Sequence, residues 1–286
     1  MSGWRSLLFV PGDRPERFAK AAASGADAII LDLEDSVVPE RKPLAREAVS
    51  DWLRCERACP VFVRINPLAS DDIGRDLTSL RPAKLDGLLL PKAEGAASVE
   101  TLATLWGEGL PPVLPIATET PAAIFELGSY RECARRLAGL TWGAEDLPAA
   151  IGATTSREAN GAFTPPYEML RSMTLFAAHA ARVPAIETVY PDITDLTGLA
   201  AYVARARRDG FTGMMAIHPA QVEVINHGFS PSDEEIAQAR AVIEVFDSNP
   251  GAGAIRLDGR MVDAPHLAHA RRVLALAKAK NEGRPG

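Results

Sequence analysis

Apolar, β-branched-rich runs recur eight times along the chain: SLLFVPG (6–12), AIILDLED (28–35), PVFVRIN (60–66), GLLLPK (87–92), VLPIATET (113–120), GLTWGAED (139–146), AIETVY (185–190) and GMMAIHP (213–219). Each run is continuous rather than alternating, the pattern of a strand buried on both faces. Helical stretches such as RPERFAKAAAS (14–24) and FTPPYEMLRSMTLFAAHAAR (163–182) separate the runs. Eight such units before about residue 228 predict an α/β fold, a (β/α)8 TIM barrel, whose usual size of about 250 residues suits the chain. The expected organisation is a catalytic barrel over 1–228 and a C-terminal helical extension over 229–286. The alternative, an open doubly wound sheet, expects a GxGxxG turn after the first strand, and VPGDRPERF lacks that spacing.

In a barrel the C-terminal ends of the strands surround one mouth, so polar residues placed there converge although they are distant in sequence. The runs end on Asp32, Glu34 and Asp35, on Arg64 and Asn66, on Lys92, on Glu119, on Glu145 and Asp146, and on His218. Glu119 and Asp146 are the candidate metal ligands, because Mg2+ takes one or two protein carboxylates and fills its octahedron with water and substrate oxygens. Each also precedes a residue pair ending in proline, where a carboxylate can cap a helix, and the spacing alone fits both readings. Arg64 ends an apolar strand and offers a planar fork for a substrate carboxylate. An interior ion pair with Glu34 or Asp35 is the competing account of it. The acids of Asp32-Leu33-Glu34-Asp35 suit supporting roles, and His218 before Pro219 suits either a general base or a hydrogen-bonded structural residue. Around the first βα loop, Phe9 at the strand end and Arg14 and Lys20 flanking the helix start could hold the adenine and phosphates of a nucleotide-like cofactor, although basic residues on an exposed helix are usually solvated.

Composition narrows the class. With 286 residues, 47% of them hydrophobic, the chain can bury a large core. No apolar run reaches the roughly 18–20 residues of a membrane span, and the start around Trp4 and Arg5 is not a secretory signal, so a cytoplasmic enzyme with no membrane partner is expected. Cys55, Cys59 and Cys133 form no paired motif and read as reduced thiols. A net charge of −6 gives no reason to expect nucleic acid. The segment beyond the barrel carries an apolar stripe of Leu267, Ala270, Leu274 and Ala277, which suggests a homo-oligomer, a trimer or hexamer, unless it packs on its own barrel.

Taken in order, RSLLFVPGDRPERFAKA (5–21), DLEDSV (32–37), VRIN (63–66), LPKAE (90–94), ETP (119–121), GAEDL (143–147), GFTGMMAIHPAQVEVIN (210–226), FSPSDEEI (229–236) and GRMVDAP (259–265) resemble the HpcH/HpaI aldolase superfamily in its citrate lyase β-subunit-like branch. The resemblance runs from Arg5 to about Pro265, and it is the joint order of the motifs that makes it specific. It implies a Mg2+-dependent carbon–carbon lyase acting on 3-hydroxy-3-carboxyacyl thioesters of coenzyme A, of the malyl-CoA or citramalyl-CoA type, with an acyl-CoA and a keto acid such as pyruvate or glyoxylate as products. On the matching positions, Glu119 and Asp146 are the metal ligands, Arg64 binds the substrate carboxylate, and Phe9, Arg14 and Lys20 contact coenzyme A. Asp263 matches a proton-transfer aspartate that in relatives reaches an active site from a C-terminal cap, often of a neighbouring subunit. Without the resemblance, Asp263 before Ala264-Pro265 reads as a cap for the helix predicted at 267–280. The family often carries lysine where this chain has Met214, which removes one cation from the expected ligand contacts. Three other activities fit the same motifs: a citrate lyase β subunit using an acyl-carrier-protein thioester, a class II aldolase on free hydroxy-keto acids, and a catalytically silent coenzyme A-binding protein.

Overall fold

The computed structural model describes residues 4–281 and separates into two compact units, one ending at Asn226 and the other beginning at His227. In the first unit, β1 (Ser6–Pro11), β2 (Ala28–Asp32), β3 (Val61–Arg64), β4 (Gly87–Leu90), β5 (Val113–Pro115), β6 (Ile186–Glu187) and β7 (Gly213–Ala216) form one parallel sheet, in the order β5-β4-β3-β2-β1-β7-β6. Its two ends are joined by a short segment. Ile116 pairs with Thr141, and Leu140 pairs with Ala185, both in parallel, so the strands form a closed ring. The sixth predicted run therefore occupies its expected place in the barrel, although only Leu140 and Thr141 bridge to neighbours there. The seventh is likewise shortened, to Ile186–Glu187.

The continuous apolar runs are explained by burial on both faces. Leu7, Ala28, Ile30, Phe62, Leu89, Leu114, Ile116, Ile186 and Met215 pack together as one interior cluster. The alternate positions Leu8, Ile29, Leu31, Val61, Val63, Leu88 and Leu90 are also buried. Strand side chains alternate between faces, so the inward set on β2 continues from Ala28 and Ile30 to Asp32, and that on β3 from Phe62 to Arg64. Asp32 and Arg64 are also register partners. The barrel thus carries charge at the upper end of an otherwise apolar interior.

Behind the closing segment, Trp142 donates its indole N–H to the buried Glu187 at 2.6 Å, and Arg171, on the helix Pro165–Ala181, pairs with the same carboxylate at 2.7 Å. Thr118 clasps the segment from β5: its hydroxyl donates to the Gly143 carbonyl at 3.0 Å and accepts the Gly143 N–H at 3.1 Å.

The second unit contains the helix Asp233–Asp247, an antiparallel hairpin of β8 (Ala254–Leu257) and β9 (Arg260–Asp263), and the helix Ala264–Asn281. Ser232 and Glu235 close a capping box at the start of the first helix. Ala270, Val273 and Leu274 pack against Ala239, Val242, Ile243 and Phe246. Much of the stripe expected to mark an oligomer contact is therefore engaged within this unit, because two antiparallel-capable amphipathic helices bury each other's apolar faces first. The last helix begins at Ala264, three residues before the predicted start at Leu267. No described helix is long and apolar enough to cross a membrane.

Gly213 opens β7 where a Cβ would lie 1.7 Å from the Trp4 carbonyl oxygen. Backbone cannot yield to that overlap as a flexible side chain would. Gly213→Ala is expected to destabilise the barrel by about 3 kcal/mol or more, read as a lowered Tm and urea midpoint. A variant with wild-type unfolding would contradict this account of the glycine.

Candidate active site

Four carboxyl groups and two cations meet at the strand ends, and the barrel's alternation places the first pair. Asp32 accepts two hydrogen bonds from Arg64, from Nε at 2.7 Å and from Nη2 at 2.6 Å. Asp32 is buried, and burial alone would raise its pKa, but the Arg64 hydrogen bonds and charge hold it below the usual carboxylate value. Backbone N–H groups of Glu34 and Ser36 also donate to it, at 2.9 and 3.1 Å. Arg64 in turn lies over the ring of Phe9, 5.0 Å from its centroid.

The partner of Arg64 is thus mainly Asp32, one of the three strand-end acids expected in a supporting role, rather than Glu34 or Asp35. The Nε/Nη2 edge of the guanidinium is committed to Asp32. Nη1 faces Glu34 Oε2 at 3.0 Å and the exposed Asp35 at 4.0 Å. The contact with Glu34 is ionic rather than directional, since that buried oxygen has no hydrogen-bond partner. A second carboxylate could therefore be received on the Nη1/Nη2 edge.

Lys92, just beyond β4, connects Glu34 to the candidate metal ligands. Its ammonium donates to Glu34 Oε1 at 2.9 Å and lies 3.3 Å from Asp146 Oδ2, while its backbone N–H donates to Glu119 Oε2 at 2.6 Å. Burial would lower the lysine pKa, but Glu34 and the neighbouring acids raise it, so Lys92 stays charged. For Glu119 the balance is reversed. Burial, with the charges of Glu34 and Asp146, outweighs the Lys92 hydrogen bond and pushes its pKa up to about 8.

The capping alternative can be checked at both acids. The helix Pro121–Glu126 is capped by Thr120, whose hydroxyl accepts the Ala123 N–H at 3.2 Å, so Glu119 is free of that task. Asp146 occupies the N-cap position of the short helix Leu147–Ile151, yet its side chain makes no capping hydrogen bond. Gly143 leaves room for Glu119: a Cβ there would sit 3.0 Å from its Cγ and 3.2 Å from its Oε1.

Among the described residues, no three His, Cys, Asp or Glu side chains form a preassembled metal cage. The donor set nonetheless fits Mg2+, which needs only one or two carboxylates and keeps several waters. Hard oxygen donors, a carboxyl group disfavoured as an isolated anion, and a buried Glu34 oxygen that accepts no hydrogen bond describe a site short of positive charge.

The remaining candidates are placed as follows. Phe9 lies on β1, shares the inward parity of Leu7 and packs under Arg64. Arg14 and Lys20 are exposed around the 3-10 turn Pro15–Arg17 and the helix Phe18–Ala22. Met214 is fully buried in β7. His218 is exposed, and its Nδ1 accepts the Ala220 N–H at 3.2 Å, so it acts as a cap for the helix Pro219–Phe229. Asp263 belongs to the second unit. It ends β9, and its Oδ1 lies 2.5 Å from Nδ1 of His266. That hydrogen bond lowers its pKa. Lys92 is the residue to which no role was given from the sequence. The signal was present in LPKAE, a lysine directly after an apolar strand.

Comparisons with known proteins identify the family. The family model described as HpcH/HpaI aldolase/citrate lyase matches residues 5–219, and one described as a C–C bond lyase of the TIM-barrel fold matches residues 164–280. A citrate lyase subunit beta-like protein of Mycobacterium tuberculosis is 40% identical over 282 residues, covering 96% of this chain and 95% of that protein. A (3S)-malyl-CoA thioesterase of Cereibacter sphaeroides is 33% identical over 284 residues, with 96% and 95% covered. The crystal structure of CitE from M. tuberculosis in complex with magnesium, acetoacetate and coenzyme A superposes with a TM-score of 0.84 at 39% identity, covering 97% of this chain and 98% of that one. With its closed parallel barrel, its acidic mouth and these matches along nearly its whole length, the chain belongs to the HpcH/HpaI aldolase/citrate lyase family of carbon–carbon lyases.

Proposed function

We propose that the protein cleaves, or in reverse forms, a 3-hydroxy-3-carboxyacyl-CoA thioester of the malyl-CoA or citramalyl-CoA type, giving an acyl-CoA and a keto acid, with Mg2+ held by Glu119 and Asp146. The observation that carries the reading is a pair of acids that cap no helix, in a cluster with an arginine whose Nη1 makes an ionic contact but no directed hydrogen bond. The M. tuberculosis structure with magnesium, acetoacetate and coenzyme A supports the ligand classes.

In the cleavage direction the 3-hydroxyl loses its proton, the C2–C3 bond breaks, C3 becomes the keto-acid carbonyl, and C2 becomes a thioester enolate that is then protonated. Mg2+ would supply Lewis acidity toward the hydroxyl and carboxylate oxygens of the substrate. Arg64 receives the keto-acid carboxylate on its Nη1/Nη2 edge, with Asp32 fixing the guanidinium from the other side. Asp263 takes the hydroxyl proton and returns it to C2, a task for which its lowered pKa keeps it ionised at neutral pH. Arg14 and Lys20, as exposed cations of the first loop, hold coenzyme A phosphates, and Phe9 lines the mouth beneath Arg64. The assembly is a homo-oligomer, a trimer or hexamer, in which Asp263 serves a neighbouring copy.

Three measurements test these assignments. Glu119→Gln and Asp146→Asn should each abolish Mg2+-dependent release of keto acid from malyl-CoA or citramalyl-CoA and remove Mg2+ binding in calorimetry, with folding retained; wild-type binding in either would reject the ligand assignment. Release of free coenzyme A without acyl-CoA would redirect the activity to thioester hydrolysis.

Arg64→Lys keeps the charge but loses the fork. It should weaken pyruvate or glyoxylate binding by about tenfold or more. Unchanged keto-acid affinity would make Arg64 purely a partner of Asp32.

Asp263→Asn should lower turnover by roughly 100- to 10,000-fold with little change in Tm, the loss typical of a missing acid–base group. Mixed assemblies of Asp263→Asn and Glu119→Gln protomers should recover part of the activity if the aspartate crosses between copies. A strictly monomeric, fully active wild type in light scattering would exclude that arrangement.

A further inference from the structure

Lys92 adopts a left-handed backbone, with φ of 50°, a conformation that costs a lysine energy and is kept only where the surroundings impose it. The turn aims two donors of one residue at different acids. The N–H meets Glu119, and the ammonium meets Glu34 and lies beside Asp146. Among the described residues, Arg64 and Lys92 are the cations of a cluster whose carboxyls are Asp32, Glu34, Glu119 and Asp146. Fully ionised, that cluster, which Asp35 also borders at 4.0 Å from Arg64, is short of positive charge.

We propose that Lys92 is a resident stand-in for the divalent cation. Its ammonium neutralises Glu34 and Asp146 before metal arrives, its backbone holds Glu119 in place, and the metal must take Asp146 from it to bind. The inference rests on Glu119 and Asp146 being the ligands. It adds a cost to their arrangement: the lysine that assembles the site also competes for it, so the affinity for metal is set below what the carboxyls alone would give. On metal binding the ammonium keeps Glu34, the partner it touches at the shorter distance. Lys92 is thus a positioning residue that acts through the ligands.

The test is Mg2+ binding by calorimetry on the full-length protein, with Tm measured in chelator. Lys92→Met should lower the metal-free Tm and tighten the Mg2+ Kd by roughly tenfold, since a nearby positive charge is removed. Lys92→Arg, which keeps the charge, should stay within about threefold of the wild-type Kd. If the methionine variant does not fold, Lys92→Gly, which suits the left-handed backbone, carries the same expectation for Kd. A wild type that binds Mg2+ alongside a Met or Gly variant with equal or weaker affinity would overturn the role of Lys92 alone. A wild type that binds no Mg2+ would overturn the ligand assignment and this inference with it.

Discussion

Inside a closed barrel, a charge that points inward has no water to turn to, and the pairing of Asp32 with Arg64 is what makes an ionic mouth compatible with an apolar interior. The two residues are register partners on adjacent strands, so the hydrogen-bonded ladder itself brings the carboxylate to the guanidinium. Removing one member of such a buried pair typically costs about 3–5 kcal/mol, because the other is left uncompensated. The pair also sets the direction of everything above it. With Nε and Nη2 of Arg64 engaged from β2, the free part of the guanidinium faces Glu34, and through Lys92 the same electrostatic chain reaches Glu119 and Asp146.

The acids of this cluster are not equivalent. Asp32 receives directed donors from Arg64 and from two backbone amides, and its charge is stabilised despite burial. Glu34 and Glu119 are buried with fewer donors, and both are shifted upward by desolvation. One fold therefore keeps a carboxylate whose charge is stabilised for positioning and, just beyond the same strand and beyond β5, carboxyls whose charge is disfavoured. Environment separates them, since they are the same functional group.

The strand count was readable because two-faced burial writes each strand as an unbroken apolar run, and the mouth was readable because such runs end on polar residues. Where two roles share one sequence pattern, reading stopped. A carboxylate before a proline looks the same whether it caps a helix or not; only the Thr120 hydroxyl bonded to Ala123, and an Asp146 side chain that makes no capping hydrogen bond, separate the two. The stripe on the last helix was visible, but nothing in its periodicity says that Ala239 and Val242 cover it. Lys92 was visible at its strand end but without a role, because its two contacts depend on a backbone angle, and a lysine gives no local sign of a positive φ. Asp263 required the family resemblance, since its own neighbourhood in the sequence speaks only of a helix start.

The closing segment of the ring has a mechanical consequence. Leu137, Leu140 and Thr141 join β5 and β6 through isolated pairs, whereas β1 and β2 are joined by a ladder of five. Two residues further on, Gly143 is gripped by Thr118 and packs against Glu119, and the same stretch of chain runs on to Asp146. The short stretch that closes the ring therefore also carries one of the two acids, so the closure of the wall and the spacing of Glu119 from Asp146 are set by the same few residues.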